Sequence, residues 1–222
     1  MSAEIGNIVA LHYDGWMVRF RNEKLVKPYN TEIGHNPATI MAFSSKNKWF
    51  VYCYSDTAYF YDYTTEELVN TLSVASGSTQ IEFSRDDDYV FFRSASSVRI
   101  YKTSDWSLVH TYPASVSNTI SISQFGQKML LVSSVAPHFR VITFNSTWDT
   151  VLGTVELVPT GNLSHSFYRG SCFSLDGSKV LLTAGNDVGS VQVFDTVSAT
   201  QLDTKSYVGG LFGSSGVPRL SP

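Results

Sequence analysis

QIEFSRDDDYVFFRSASSVRIYKTSDWSLVHTYP, residues 80–113, decides the fold. It divides into four short runs separated by three polar turns. QIEF (80–83) alternates apolar and polar residues, and SRDDD (84–88) turns. YVFFR (89–93) is rich in aromatic and branched residues, which suit a pleated, half-buried surface. SASS (94–97) turns again. VRIY (98–101) alternates with period two, placing Val98 and Ile100 on one face and Arg99 and Tyr101 on the other. KTSDWS (102–107) leads into LVHTY (108–112), and Pro113, which has no amide hydrogen for a ladder, ends the unit. Only one face of so small a sheet finds cover by itself, so the unit is expected to stack on copies of itself.

The copies are marked in two ways. An apolar residue followed by Ser ends the first strand of each unit: Phe43-Ser44, Phe83-Ser84, Ile122-Ser123, Phe173-Ser174 and Leu220-Ser221. These serines are spaced 40, 39, 51 and 47 residues apart. An aromatic residue followed by a polar one ends the third strand: Phe20-Arg21, Tyr61-Asp62, Tyr101-Lys102, Phe144-Asn145 and Phe194-Asp195. Those aromatics are spaced 41, 40, 43 and 50 apart. A period in the forties with four strands per period is the signature of a β-propeller.

The two ends of the chain complement each other. Residues 1–33 supply a second, third and fourth strand without a first, whereas VPRLS near the C-terminus supplies a first strand with nothing after it. Inside whole units the marker Ser precedes the marker aromatic by 17, 17, 21 and 20 residues. Joining Pro222 notionally to Met1, Ser221 precedes Phe20 by 21. The expected fold is therefore all-β: a five-bladed β-propeller of four-stranded antiparallel blades, closed by a C-terminal strand joining the N-terminal blade. The blades cover residues 1–33 plus 216–222, 34–75, 76–113, 114–158 and 159–209, within a single domain 1–222. Such closure removes the open edges that a linear array would leave. The alternative is a piece of a longer propeller.

The chain of 222 residues carries net charge −3, with 43% hydrophobic and 14% aromatic content. A chain of this size buries about 70% of its unfolded surface. The near-neutral charge argues against nucleic acid as a partner, which would call for a basic patch or stripe. No apolar run approaches the ~18 residues of a membrane span, so no membrane partner is expected. The N-terminal residues lack a basic n-region and a continuous apolar h-region, so no secretory signal is read there. The expected location is a virion if the chain is phage-encoded, and otherwise the cytoplasm. Cys53 and Cys172 fall in strands of different units and are expected as buried free thiols.

The repeat phrase resembles WD-repeat propellers. CFSLDGSKVLLTAGNDVGSVQVFD (172–195) is close to that family's order of strand, Asp-Gly turn, strand, turn and final aromatic-Asp. Gly34-His35 resembles the Gly-His that opens a repeat there, and Tyr61-Asp62 and Phe194-Asp195 stand where its Trp-Asp would. No Trp-Asp pair closes a third strand, and one unit alone carries the Gly-His. A narrower resemblance is to blade-like repeats of bacteriophage virion and tail-associated proteins. Phrases similar to RIYKTSDWSLV (99–109) follow each third strand there, and FNSTWDTV (144–151) looks like a worn copy.

Candidate chemistry is sparse. His12, His35, His110, His138 and His165 lie in different units or linkers without metal-ligand spacing, so no metal is expected. Asp86, Asp87 and Asp88 are consecutive, do not share a side, and read as a solvated turn rather than a calcium loop. No G-x-S-x-G turn and no phosphate-binding Gly-rich loop occurs, so neither catalytic residues nor a cofactor site is assigned. Aromatic residues are more informative. Phe50, Tyr52 and Tyr54 share one face of a second strand, and Tyr59, Tyr61 and Tyr63 share another on the third. These rows read as core between blades, with the tyrosines alternatively reaching a rim as a platform for sugar or protein. Trp106 and Trp148, in turns before outer strands, are expected to cap adjacent blades, and Trp16 to lie near a loop face. Trp16, Tyr59, Tyr61, Tyr63, Trp106 and Trp148 are thus the interface candidates. The expected function is non-catalytic: a structural or docking propeller binding protein partners in a multi-subunit assembly, most specifically a bacteriophage virion. The alternatives are a glycan-binding propeller and a cytoplasmic WD-repeat scaffold.

Overall fold

The computed structural model describes residues 8–11, 17–21, 24–29, 40–46, 48–54, 56–65, 67–75, 77–114, 117–133, 137–160, 168–184 and 188–208. These residues form strands and turns alone, and no helix among them is long and apolar enough to cross a membrane. Sheet I contains β1 (Ile8–Leu11), β2 (Met17–Arg21) and β3 (Lys24–Tyr29). Sheet II contains β4 (Ile40–Phe43), β5 (Trp49–Tyr54), β6 (Thr57–Asp62) and β7 (Leu68–Ser73). Sheet III contains β8 (Gln80–Phe83), β9 (Tyr89–Arg93), β10 (Ser97–Lys102) and β11 (Leu108–Pro113). Sheet IV contains β12 (Ser117–Ile122), β13 (Lys128–Ser133), β14 (Phe139–Phe144) and β15 (Val151–Glu156). Sheet V contains β16 (Tyr168–Phe173), β17 (Lys179–Ala184), β18 (Val188–Asp195) and β19 (Gln201–Val208).

Every sheet is an antiparallel meander in chain order. The unit at 80–113 has the expected four strands, with one difference at its end. Pro113 is the last residue of β11, paired with Ser97, rather than a residue beyond the strand. The outermost strand has a free edge, so the missing amide hydrogen leaves no ladder bond unmade.

The sheets stack face to face because their middle strands are apolar on both sides. In β9, Val90 and Phe92 point to one neighbour while Tyr89 and Phe91 point to the other. Val51, Ala58 and Phe60 of sheet II meet Ile81, Phe83, Val90 and Phe92 of sheet III. Phe91, Val98 and Ile100 meet Ile120, Met129, Leu131 and Ile142 of sheet IV. Leu130, Val132 and Val141 meet Val180, Leu182 and Phe194 of sheet V. The first strands run beside one another in series: β4 by β8, β8 by β12 and β12 by β16. Repeated four-stranded sheets stacked through their faces, first strands together, are compatible with a propeller-like fold.

First strands have an edge that lacks a ladder partner, and polar side chains stitch it. The Gln80 side-chain amide accepts from Ile120 N–H at 2.8 Å and donates to Ile120 C=O at 2.8 Å. It thereby stands in for a strand residue along β12. Ser121 and Ser171 join their hydroxyls at 2.6 Å between β12 and β16.

The two sequence markers are turn devices. Ser44, Ser84, Ser123 and Ser174 accept, through Oγ, the N–H of Trp49, Tyr89, Lys128 and Lys179 at 2.8–3.0 Å. Each closes the turn between first and second strands. At the third-to-fourth turn, Asp62 accepts from the N–H groups of Thr64 and Thr65 at 2.7 and 2.8 Å. Asp195 accepts from Val197 and Ser198 at 2.9 and 2.7 Å, and Asn145 from Asp149 N–H at 3.2 Å. These donors act on charge: the Thr65 N–H holds the Asp62 carboxyl below its usual range, and the Ser198 N–H does the same for Asp195. A carboxyl whose pKa falls on folding stabilises the fold above its unfolded value of about 3.9, and this contribution is lost as pH drops through the lower folded value. Asp195→Asn keeps an acceptor oxygen and loses the charge. Its thermal midpoint should lie below wild type at pH 7, and the gap should narrow as the pH falls below about 4 in melts followed by circular dichroism.

Candidate functional site

The turns between first and second strands of sheets II to V touch in series. Lys46 N–H donates to Asp87 Oδ2 at 3.0 Å, linking sheets II and III. The Arg85 guanidinium lies over the Phe125 ring, 4.0 Å from its centroid, linking III and IV. Lys128 Nζ donates to Gly177 C=O at 3.1 Å and to Thr196 Oγ1 at 2.6 Å, linking IV and V.

Between the turns of sheets II to IV lies a cavity of about 220 Å³. Its wall is formed by Lys46, Arg85, Asp86, Gln124, Phe125 and Gln127, with Ser84, Ser123 and Trp148 completing the lining. Asp86 Oδ1 is taken up inside its own turn, accepting from Ser84 Oγ–H and from Asp88 N–H at 3.1 Å. Ser123 Oγ is likewise committed to Lys128 N–H. The exposed wall thus offers two cations, one carboxylate and two amides, against an aromatic ring.

The local geometry is fixed by unusual backbone. Asp87 has φ 64°, in the position where the equivalent turns carry Gly126 at φ 79° and Gly177 at φ 69°. The expectation of a uniformly solvated Asp86–Asp87–Asp88 turn is therefore corrected: Asp87 is buried, while Asp86 and Asp88 are exposed. Asp tolerates the left-handed region better than most residues, which lets the carboxylate turn inward onto Lys46. Its Oδ1 is buried without a hydrogen-bond partner. Among the described residues no three His, Cys, Asp or Glu side chains gather as a metal-ligand set. Burial pushes the Cys53 thiol up to about 12, which keeps it protonated at neutral pH.

The interface candidates fall into three places. Trp16 lies outside the described residues. Tyr59, Tyr61 and Tyr63 lie with Phe50 and Tyr52 on sheet II, and register corrects the expectation of two separate faces. Phe50 pairs with Tyr61 and Tyr52 with Tyr59, so both rows point to the same side. Tyr52 stacks on Tyr59 at 4.8 Å and on Tyr61 at 5.9 Å, and Phe43 meets Tyr63 edge-on at 5.9 Å. Burial, reinforced by the neighbouring Tyr61, raises the Tyr52 hydroxyl above its ordinary range. Trp106 and Trp148 do cover neighbouring sheets. Trp106 reaches Phe60 at 4.3 Å and Trp49 at 5.6 Å on sheet II. Trp148 reaches Phe91 at 4.8 Å on sheet III and Phe144 at 5.2 Å on its own. Both sit at φ 59°. Arg85, Gln124, Phe125 and Gln127 were not singled out by sequence. Their signal is an apolar ring placed inside a polar turn, SQFGQK, where the aligned turns carry Asp86 and Asp176.

No protein-family model and no curated protein sequence matches the chain. Solved structures that share its fold include two at low sequence identity. One is a functionally unknown protein from Desulfotomaculum acetoxidans, with a TM-score of 0.70 at 16% identity, covering 95% of this chain and 69% of that one. The other is the Kuenenia stuttgartiensis hydrazine synthase, with a TM-score of 0.64 at 10% identity, covering 90% of this chain and 65% of that one. At such identities the likeness is one of fold alone.

Two glycines of the turn face separate backbone conformation from close approach. A Cβ on Gly126 would meet only the far end of Lys128, whereas one on Gly177 would stand inside contact distance of the Phe125 carbonyl oxygen. Gly126→Ala should cost about 1–2 kcal/mol, the ordinary penalty of a left-handed L-residue. Gly177→Ala should cost a further ~1–3 kcal/mol, because two backbones must separate. Urea denaturation of both variants checks the difference, and equal losses would mean that the turns do not press together.

Proposed function

We propose that the chain is a five-bladed propeller acting as a non-catalytic docking piece in a larger assembly. Support for the fifth blade comes from sheet I, where the β2–β3 register shifts at Phe20 as third-to-fourth pairs shift at Tyr61, Tyr101, Phe144 and Phe194. On β4, Met41 and Phe43 are 41% and 37% exposed, whereas Ile81 and Phe83, their counterparts on β8, are 6% and 8% exposed. We propose that VPRLS, which lies outside the described residues, completes sheet I and covers that place.

The docking proposal is carried by the turn face. Phe125, Leu175 and Val197 are exposed there, on turns fixed by internal hydrogen bonds, beside an Arg already ordered on an aromatic ring. Aromatic and Arg anchors on a rigid surface are what protein interfaces select, because little side-chain freedom is lost on binding. The partner is a protein, and the proposed setting is a bacteriophage virion, supported by the phrase RIYKTSDWSLV alone. No catalytic residue, cofactor, nucleic acid or membrane enters this proposal.

In the native particle or complex, chemical cross-links to a partner should start from Lys46, Lys48 and Lys179, which flank these turns. Phe125→Asp with Leu175→Asp should abolish co-sedimentation with that partner while the melting temperature stays within a few degrees of wild type. A chain that sediments as a free monomer in the native extract, or a double variant that co-sediments unchanged, would contradict docking through this face.

A further inference from the structure

From the cavity between the turns of sheets II, III and IV we infer a binding site for one neutral polyhydroxylated ring, a single saccharide unit. The site goes beyond docking, with which it shares Arg85 and Phe125.

Size is the first constraint. A volume of about 220 Å³ is below the roughly 300–1,000 Å³ of sites for drug-sized molecules. It would hold about seven waters at about 30 Å³ each, or one six-membered ring with its substituents.

Charge is the second. Lys46 and Arg85 bring positive charge to the wall, and Asp86 brings negative charge. Asp88 is exposed on the same turn as Arg85. A free anion would meet these carboxylates, and a free cation would meet Arg85 and Lys46. A neutral ligand with many small dipoles meets neither penalty.

Hydrogen-bonding capacity is the third. A sugar hydroxyl donates one hydrogen bond and accepts two, so a ring of hydroxyls needs donors and acceptors interleaved. The guanidinium of Arg85 and the ammonium of Lys46 donate. The side-chain amides of Gln124 and Gln127 do both, and Asp86 accepts. Among the described residues, neither glutamine amide nor the Arg85 guanidinium is committed to another hydrogen bond. Fourth, Phe125 supplies the apolar surface that the C–H face of a sugar ring needs. Arg85 is held against it at 4.0 Å, so the guanidinium is ordered before a ligand arrives. Because the aligned turns of the other sheets carry different residues, one site of this kind is expected rather than one per sheet.

The test is titration of the full chain, isotopically labelled, with a panel of neutral monosaccharides, using ¹H–¹⁵N correlation spectra. The signals to follow are the side-chain amides of Gln124 and Gln127, the Arg85 Nε–H and the Trp148 indole. At least one sugar should shift them saturably, with a Kd in the millimolar range. Gln124→Ala and Gln127→Ala should each weaken it about tenfold, with melting temperature and co-sedimentation with the protein partner retained. Sodium acetate and methylammonium chloride at equal concentration should leave the signals in place. Three results would overturn the inference: no saturable shift for any sugar up to about 100 mM, shifts that survive both substitutions, or saturable shifts with acetate or methylammonium alone. None of the three bears on docking, which is decided by the partner's response to Phe125→Asp and Leu175→Asp.

Discussion

The structure depends on strands that are apolar on both sides. β9 and β13 send alternate side chains into different intersheet layers, so neither sheet III nor sheet IV is buried without both neighbours. Full burial of an aromatic or branched side chain contributes about 1.5–3 kcal/mol. A single internal hydrogen bond contributes only about 0.5–1.5 kcal/mol net. The face-to-face layers, each containing several such side chains, therefore outweigh the turn and edge bonds. Those polar bonds matter chiefly because their loss leaves buried groups unpaired, as Gln80 would leave Ile120.

That hierarchy explains what the turns do. Ser44, Ser84, Ser123 and Ser174 do not hold the sheets together. They fix how each strand pair leaves the stack, and so where Arg85, Phe125, Leu175 and Lys46 stand on one face. The contact between Arg85 and Phe125 links two sheets and orders the side chain that both proposed interactions use or border. On the proposed docking reading, such a surface needs no conformational change to bind, and turns of differing sequence supply its specificity.

Much of this was legible in the sequence. Period-two alternation in VRIY and the four runs of residues 80–113 fix the strands, because side chains must alternate in a pleated sheet. The Ser and Asp markers were legible because each acts within its own turn. What lay beyond sequence depends on register and on distant turns meeting. Tyr52 and Tyr59 share a face only because they are paired across β5 and β6. Asp87 looked like one of three solvated acids, and only its left-handed backbone and the nearby Lys46 N–H turn it inward. Phe125 and Arg85 are 40 residues apart, and no local pattern announces that their turns touch.

We propose a ring of sheets in which VPRLS, a segment outside the described residues, pairs against β1. Backbone nuclear Overhauser effects between residues 216–222 and Ile8–Leu11, measured on the uniformly labelled chain, address it directly. Antiparallel strands about 4.8 Å apart bring α-protons into close contact, so the account predicts cross-strand Hα–Hα effects there. Random-coil shifts across residues 216–222, with no long-range effect to Ile8–Leu11, would contradict it.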